Sequence, residues 1–69
     1  MTQTAAAAFN EADLDWHHAL IATFGADAGQ ARYEPRGKGE PGTPLRATYD
    51  ARTAAREAWQ ATLPPLTAA

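Results

Sequence analysis

The stretch from residue 43 to residue 63 constrains the fold most, because it carries both a start signal and a stop signal for one long helix. Thr43 can act as the N-cap, since its hydroxyl can accept a hydrogen bond from a free backbone N–H of the first turn. Pro44 follows at the first helical position, where a missing N–H costs nothing. Pro64 and Pro65 end the pattern, because proline cannot donate to the carbonyl one turn back. The alanine-rich interior contains no glycine or proline, so we predict a helix over 43–63.

A second helix is predicted over residues 9–24. Asn10 is a suitable N-cap, and Asp13 stands where a capping box places an acidic residue. Gly25 is a suitable C-cap. An alternative start near Thr4 is compatible with the same apolar face.

The remaining segments are predicted to be irregular. Residues 1–8 are expected to form a frayed tail, since a short alanine-rich segment without packing partners is marginal as a helix in water. Residues 25–42 contain all of the glycines and are predicted to form a loop. Within that loop, the sequence allows a short extended piece at 30–34, and we expect Tyr33 to anchor the loop to the helices. Residues 64–69 are predicted to form a C-terminal tail.

Composition favours an all-α fold, because the chain contains no valine and a single isoleucine. We therefore predict an antiparallel two-helix hairpin in one domain covering 1–69. Thirteen apolar residues larger than alanine make a small core for such a hairpin. The sequence thus predicts either dimerisation into a four-helix arrangement or docking on a partner.

Helical-wheel positions give each predicted helix an apolar face with charged residues inside it. The face of the first helix comprises Leu14, Trp16, Leu20, Ile21 and Phe24, with Asp13 and His17 within the same arc. The face of the second helix comprises Leu45, Tyr49, Trp59 and Leu63, with Arg52 and Arg56 on the same stripe.

Two interpretations of these charged residues follow from an antiparallel arrangement. The first is a structural ion-pair cluster between the helices, formed by Asp13, His17, Arg52 and Arg56. The second is an exposed partner-binding patch of aromatic and arginine residues, the types that dominate interface hot spots, formed by Tyr49, Arg52, Arg56 and Trp59. Cations of the loop are expected to contribute at the rim of that patch: Arg32, Arg36 and Lys38.

Other function classes receive less support from the sequence. Nucleic-acid binding by the basic residues of 32–56 is the main alternative, but six cations against eight acidic residues produce a weak field. We expect no enzymatic activity, cofactor or small-molecule substrate, because no nucleophile lies in a recognisable motif. With two histidines and no cysteine in the sequence, we expect no metal site. Without a membrane-length apolar run or a signal-peptide pattern, we expect a cytoplasmic protein that does not bind membranes.

One pattern of short motifs extends over most of the chain: Trp16-His17, Phe24-Gly25, Arg32-Tyr33, Arg36-Gly37, Thr43-Pro44 and Trp59. It resembles small helical proteins encoded on bacterial plasmids and phages. The resemblance implies an accessory protein of a mobile genetic element. By analogy with compact helical anti-CRISPR proteins, it implies an inhibitor that occupies a protein surface of a host defence complex.

Overall fold

The computed structural model describes residues 3–64, and these residues form an all-helical chain. The predicted all-α class is confirmed, since this range contains no β-strand. The described range excludes Met1 and Thr2 of the predicted N-terminal tail and residues 65–69 of the predicted C-terminal tail.

Helix α1 spans Ala5–Phe24 and begins earlier than the predicted start at residue 9. Its N-cap is Thr4, whose hydroxyl accepts a hydrogen bond from the Ala7 N–H at 3.1 Å. Asn10 therefore lies inside the helix, and residues 5–8 belong to the first turns. A competent cap followed by four alanines provides both a start signal and high helix propensity, so these residues extend the helix. The alternative start near Thr4 agrees with this boundary.

Helix α3 spans Pro44–Gln60 and has the predicted N-terminus. The Thr43 hydroxyl accepts from the Arg46 N–H at 3.2 Å, and Pro44 occupies the first turn. The helix ends three residues before the predicted position 63. Its last turn tightens, since the Thr62 N–H donates to the Trp59 carbonyl three residues back.

Short helical pieces occupy much of the segment between these two helices. A 3₁₀ turn at Gly25–Asp27 leads into α2, which spans Ala28–Ala31, and a second 3₁₀ turn covers Pro35–Lys38. The extended piece that the sequence allows at 30–34 is therefore not formed. Local i→i−3 hydrogen bonds continue the helical curvature beyond α2, with Tyr33 donating to Gln30 and Glu34 donating to Ala31.

Contacts between α1 and α3 pair their residues in opposite order along the two helices. The Phe9 ring stacks on Trp59, with centroids 5.5 Å apart and planes 14° apart. Further along α1, Trp16 meets the edge of Tyr49 at 5.6 Å. These aromatic contacts join the start of α1 to the end of α3 and the middle of α1 to the first half of α3.

The core is small and lies where α1, α2 and α3 meet. Its buried residues are Trp16, Leu20, Ala28, Ala31 and Leu45. The prediction that Leu14 and Ile21 share the core-facing arc is wrong, since they are 51% and 47% exposed. At about 100° per residue, Leu14 points about 160° away from Trp16, whereas Leu20 lies only about 40° from it.

Trp16, rather than Tyr33, attaches the connecting segment to the helices. The Trp16 indole N–H donates to the Gly37 carbonyl at 2.9 Å, and Gly37 is buried. Gly37 lies so close to α2 that a Cβ there would be 2.2 Å from the Ala31 carbonyl oxygen. Tyr33, by contrast, is 85% exposed, so its predicted role as the anchor is wrong. The connecting segment is therefore held by a buried hydrogen bond and by close backbone packing of small residues, where the sequence predicted an apolar contact of Tyr33.

Candidate functional site

Two guanidinium groups pack against the indole of Trp16 at the junction of α1, α3 and the connecting segment. The Arg32 Cζ lies 4.8 Å from the ring centroid and the Arg52 Cζ lies 4.9 Å from it. Contacts of this distance and type are favourable, since the face of an aromatic ring attracts cations. Trp16 is itself fixed by its buried hydrogen bond to Gly37, so it offers a rigid surface to both arginines.

Asp13 joins the two arginines. Its Oδ1 accepts a hydrogen bond from Arg32 Nη2 at 2.7 Å and another from Arg52 Nε at 2.6 Å. Burial raises the pKa of the Asp13 carboxyl, but the hydrogen bonds from Arg52 and Arg32, together with their charges, outweigh it. The pKa of Asp13 is therefore held below its ordinary value of 3.8. The carboxylate stays ionised at neutral pH and orients both guanidiniums.

An open pocket of about 460 Å³ lies beside this cluster. We call it the arginine pocket, and its lining comprises Trp16, Arg32, Tyr33, Glu34, Pro35, Lys38, Tyr49 and Arg52. Three of these side chains are cationic and one is anionic. Glu34 is engaged by Arg36, whose Nε donates to Glu34 Oε1 at 2.7 Å. The pocket is thus a cationic and aromatic depression on a chain of net charge −2.

The structure brings together only part of the ion-pair cluster that the sequence predicted. Asp13 and Arg52 lie in contact, whereas His17 and Arg56 are both exposed and form no ion pair within residues 3–64. Those two positions were wrongly predicted to share the interhelical cluster. Arg32, from the connecting segment, supplies the second guanidinium that binds the Asp13 carboxylate.

The residues predicted to bind a partner lie in three places. Tyr49, Arg52, Arg32 and Lys38 line the arginine pocket. Trp59 lies at the far end of α3, where it stacks on Phe9. Arg36 packs over the Phe24 ring at 5.1 Å on the other side of the connecting segment. Arg52 also packs over the Phe9 ring, at 5.3 Å, so Phe9 lies between the pocket and Trp59. The pocket is where most of the predicted residues meet.

Sequence reasoning missed contacts of three residues of the site. Arg32 was expected at the rim of the patch but not on Asp13, and Tyr33 was expected to pack inward. Trp16 was correctly expected in the core, but its contacts with the two arginines were not. Arg32 and Asp13 are 19 residues apart and lie on different segments. No local spacing pattern relates such positions. The arginines and aromatics in the sequence indicated the chemistry but not which of them would meet.

A second depression, mainly apolar and about 800 Å³ in volume, lies between the end of α1 and the start of α3. Its walls include Ala22, Phe24, Pro44 and Leu45. The small side chains of α1 and the turn at Pro35–Lys38 leave this space open. Acidic and histidine residues do not gather anywhere within residues 3–64 into a group of three that could hold a metal ion.

Comparison of the chain with known protein families, with curated proteins and with solved structures gives no match. Within the described residues, no helix combines the length and the apolar character needed to cross a membrane.

Proposed function

We propose that this chain is a small non-enzymatic protein-binding module and that the arginine pocket is its main contact surface. The observation that carries the proposal is the convergence of Arg32, Arg52 and Tyr49 around one open depression, with an 85% exposed Tyr33 at its rim. Tyrosine and arginine are the residues over-represented among interface hot spots. A side chain as exposed as that of Tyr33 contributes little to the stability of the isolated chain. Its burial against a partner would contribute favourably to the free energy of binding.

The small core supports the same proposal. Within residues 3–64, three side chains larger than alanine are buried, namely Trp16, Leu20 and Leu45. In the same range, four large apolar side chains are at least 47% exposed: Leu14, Ile21, Tyr33 and Leu63. A chain that leaves so much of its apolar surface uncovered would gain stability from association. The proposed arrangement is an antiparallel helical hairpin that a partner, or a second copy of the chain, completes.

The proposed biological setting follows from the sequence resemblance to proteins of plasmids and phages. In that setting the chain is a cytoplasmic accessory protein of a mobile element, and it inhibits a host defence complex by occupying a protein surface. Its size and lack of a recognisable catalytic motif suit inhibition by steric occupation.

Nucleic-acid binding is less well supported than protein binding. Of the six basic residues, four are engaged in ion pairs within the described chain: Arg32, Arg36, Arg46 and Arg52. Binding a row of phosphates along a surface would require several of these ion pairs to open at once. Phosphate backbones are bound by surplus positive charge distributed along a surface, which this chain lacks.

The test of this proposal is quantitative capture of partners from host extract by the tagged wild-type chain and by Tyr33→Ala. We expect Tyr33→Ala to reduce retention of the specific partner at least about tenfold, as loss of a hot spot would. Circular dichroism should show unchanged helicity, because Tyr33 is almost fully exposed. The control is Gln60→Ala, which shortens an exposed polar side chain at the end of α3, away from the pocket. Equal retention by Tyr33→Ala and the wild type would contradict the proposed surface.

Replacement of Trp59 is unsuitable for this purpose. Its ring stacks on Phe9 and joins the ends of α1 and α3, so its loss would weaken helix packing and binding together.

A further inference from the structure

The two guanidiniums of the arginine pocket have more hydrogen-bond donors than the protein uses. A guanidinium carries five N–H donors. Within residues 3–64, Arg32 and Arg52 each donate one hydrogen bond, and both bonds go to the same oxygen of Asp13. Four donors on each group therefore lack a protein acceptor among the described residues. None of the guanidinium nitrogens that lack a partner is fully buried, so these nitrogens are accessible to a ligand.

These donors are held in place before any ligand arrives. The Arg32 and Arg52 side chains are only 24% and 17% exposed, and each packs on the Trp16 ring. The shared Asp13 oxygen fixes their direction further. Long side chains usually lose rotamer freedom when they bind. Here the two arginine side chains are already ordered in the folded protein, so an acceptor that enters the pocket meets preorganised donors.

The charge around the pocket favours an anionic ligand. Lys38 lines the pocket and forms no ion pair within the described part of the chain, while Asp13 offsets only one of the two arginines. Glu34 at the rim is already bound to Arg36. A single carboxylate can accept from a guanidinium in a bidentate manner, and aromatic rings at the rim can cover its aliphatic stem.

We infer that the arginine pocket is a receptor for a carboxylate side chain on an acidic segment of the protein partner. This inference rests on the proposed protein-binding function and specifies the chemistry of the partner. Carboxylate is favoured over a nucleic-acid phosphate because the site is one compact pocket, and no cationic track leads away from it within residues 3–64.

The experiment titrates the isotope-labelled full chain with acetylated, amidated tetraglutamate at constant ionic strength. The NMR signals followed are the side-chain N–H groups of Arg32 and Arg52 and the indole N–H of Trp16. Parallel titrations use tetraglutamine, inorganic phosphate and a four-nucleotide thymidine oligonucleotide. We expect saturable shifts with tetraglutamate and at least tenfold weaker effects with the other three probes. Equal shifts with tetraglutamine, or tighter binding of phosphate or the oligonucleotide, would overturn the inference.

A matched pair of variants tests whether the pocket, rather than overall charge, attracts the peptide. Lys38→Gln removes one positive charge at the pocket. Gln60→Glu makes the same change in net charge at the end of α3, about 16 Å along the helix from Tyr49. We expect Lys38→Gln to weaken tetraglutamate binding about threefold to fivefold and Gln60→Glu to leave it nearly unchanged. Equal weakening by both variants would show nonspecific attraction and would refute a built site.

The outcomes for the inference and for the proposed function are separable. If tetraglutamate fails to bind while Tyr33→Ala still abolishes capture of the partner, the binding surface stands and only the carboxylate assignment fails.

Discussion

At the scale of single residues, Asp13 organises the site. A half-buried carboxylate with no cation nearby would tend to take up a proton, since burial disfavours the charged form. Two arginines reverse that tendency, so the pKa of Asp13 lies below 3.8. Because the folded-state pKa is lowered, the interaction stabilises the fold above pH 3.8. That stabilisation is lost as the pH falls through the lowered folded-state value.

Asp13→Asn is therefore expected to lower the free energy of unfolding by about 1–2 kcal/mol at pH 6, since it replaces charge-assisted hydrogen bonds with weaker neutral ones. The measurement is urea unfolding followed by circular dichroism. The difference from the wild type should shrink as the pH is lowered below 3.8, because protonated Asp13 then resembles asparagine.

Asp50→Asn is the control for this prediction. Asp50 pairs with Arg46 on the exposed face of α3, so its replacement should change stability by less than about 0.5 kcal/mol. A pH-independent difference between Asp13→Asn and the wild type would contradict the assigned role of the Asp13 charge.

At the scale of structural elements, close backbone packing of the connecting segment positions the pocket. The turn at Pro35–Lys38 carries Lys38 to the pocket and presents the Gly37 carbonyl to Trp16. Its approach to α2 depends on the absence of a side chain at Gly37. The segment between α1 and α3 is consequently part of the fold and determines where Arg32 lies.

Gly37→Ala should destabilise the chain by about 1–3 kcal/mol, because the new Cβ would overlap the Ala31 carbonyl oxygen. The near-ultraviolet circular dichroism of Trp16 should weaken as well, since the turn must move away from its indole. Gly29→Ala is the matched control: Gly29 lies in α2 with open space around it, so alanine there should be neutral or stabilise by up to about 1 kcal/mol. Equal unfolding midpoints for the two variants would contradict the packing described.

At the scale of the whole molecule, the chain is extended for its length. Its radius of gyration is 13.9 Å, against about 11 Å for a compact chain of this size. A total stability of roughly 3–10 kcal/mol is ordinary for so few residues. The burial of a few side chains must therefore supply a large share of it.

Leu20→Ala is expected to cost about 2–5 kcal/mol, since Leu20 is completely buried among the three helices. Leu14→Ala, on the same helix and 51% exposed, should cost less than about 1 kcal/mol. Thermal unfolding of the two variants at several protein concentrations provides the comparison. A cost for Leu14→Ala that rises with concentration would indicate that a second copy covers this face.

The sequence by itself determined the helical class and the start of α3. Local signals carried both, since a Thr-Pro cap and alanine-rich segments act through neighbouring residues. Local reasoning also indicated that Asp13 and Arg52 belong near each other, but it included His17 and Arg56 and oriented Leu14 and Tyr33 inward. Only the tertiary structure decided that Arg32 and Arg52 share one carboxylate and one indole. The physical reason is that their meeting depends on how closely Gly37 packs against α2, a distance that no local sequence pattern encodes.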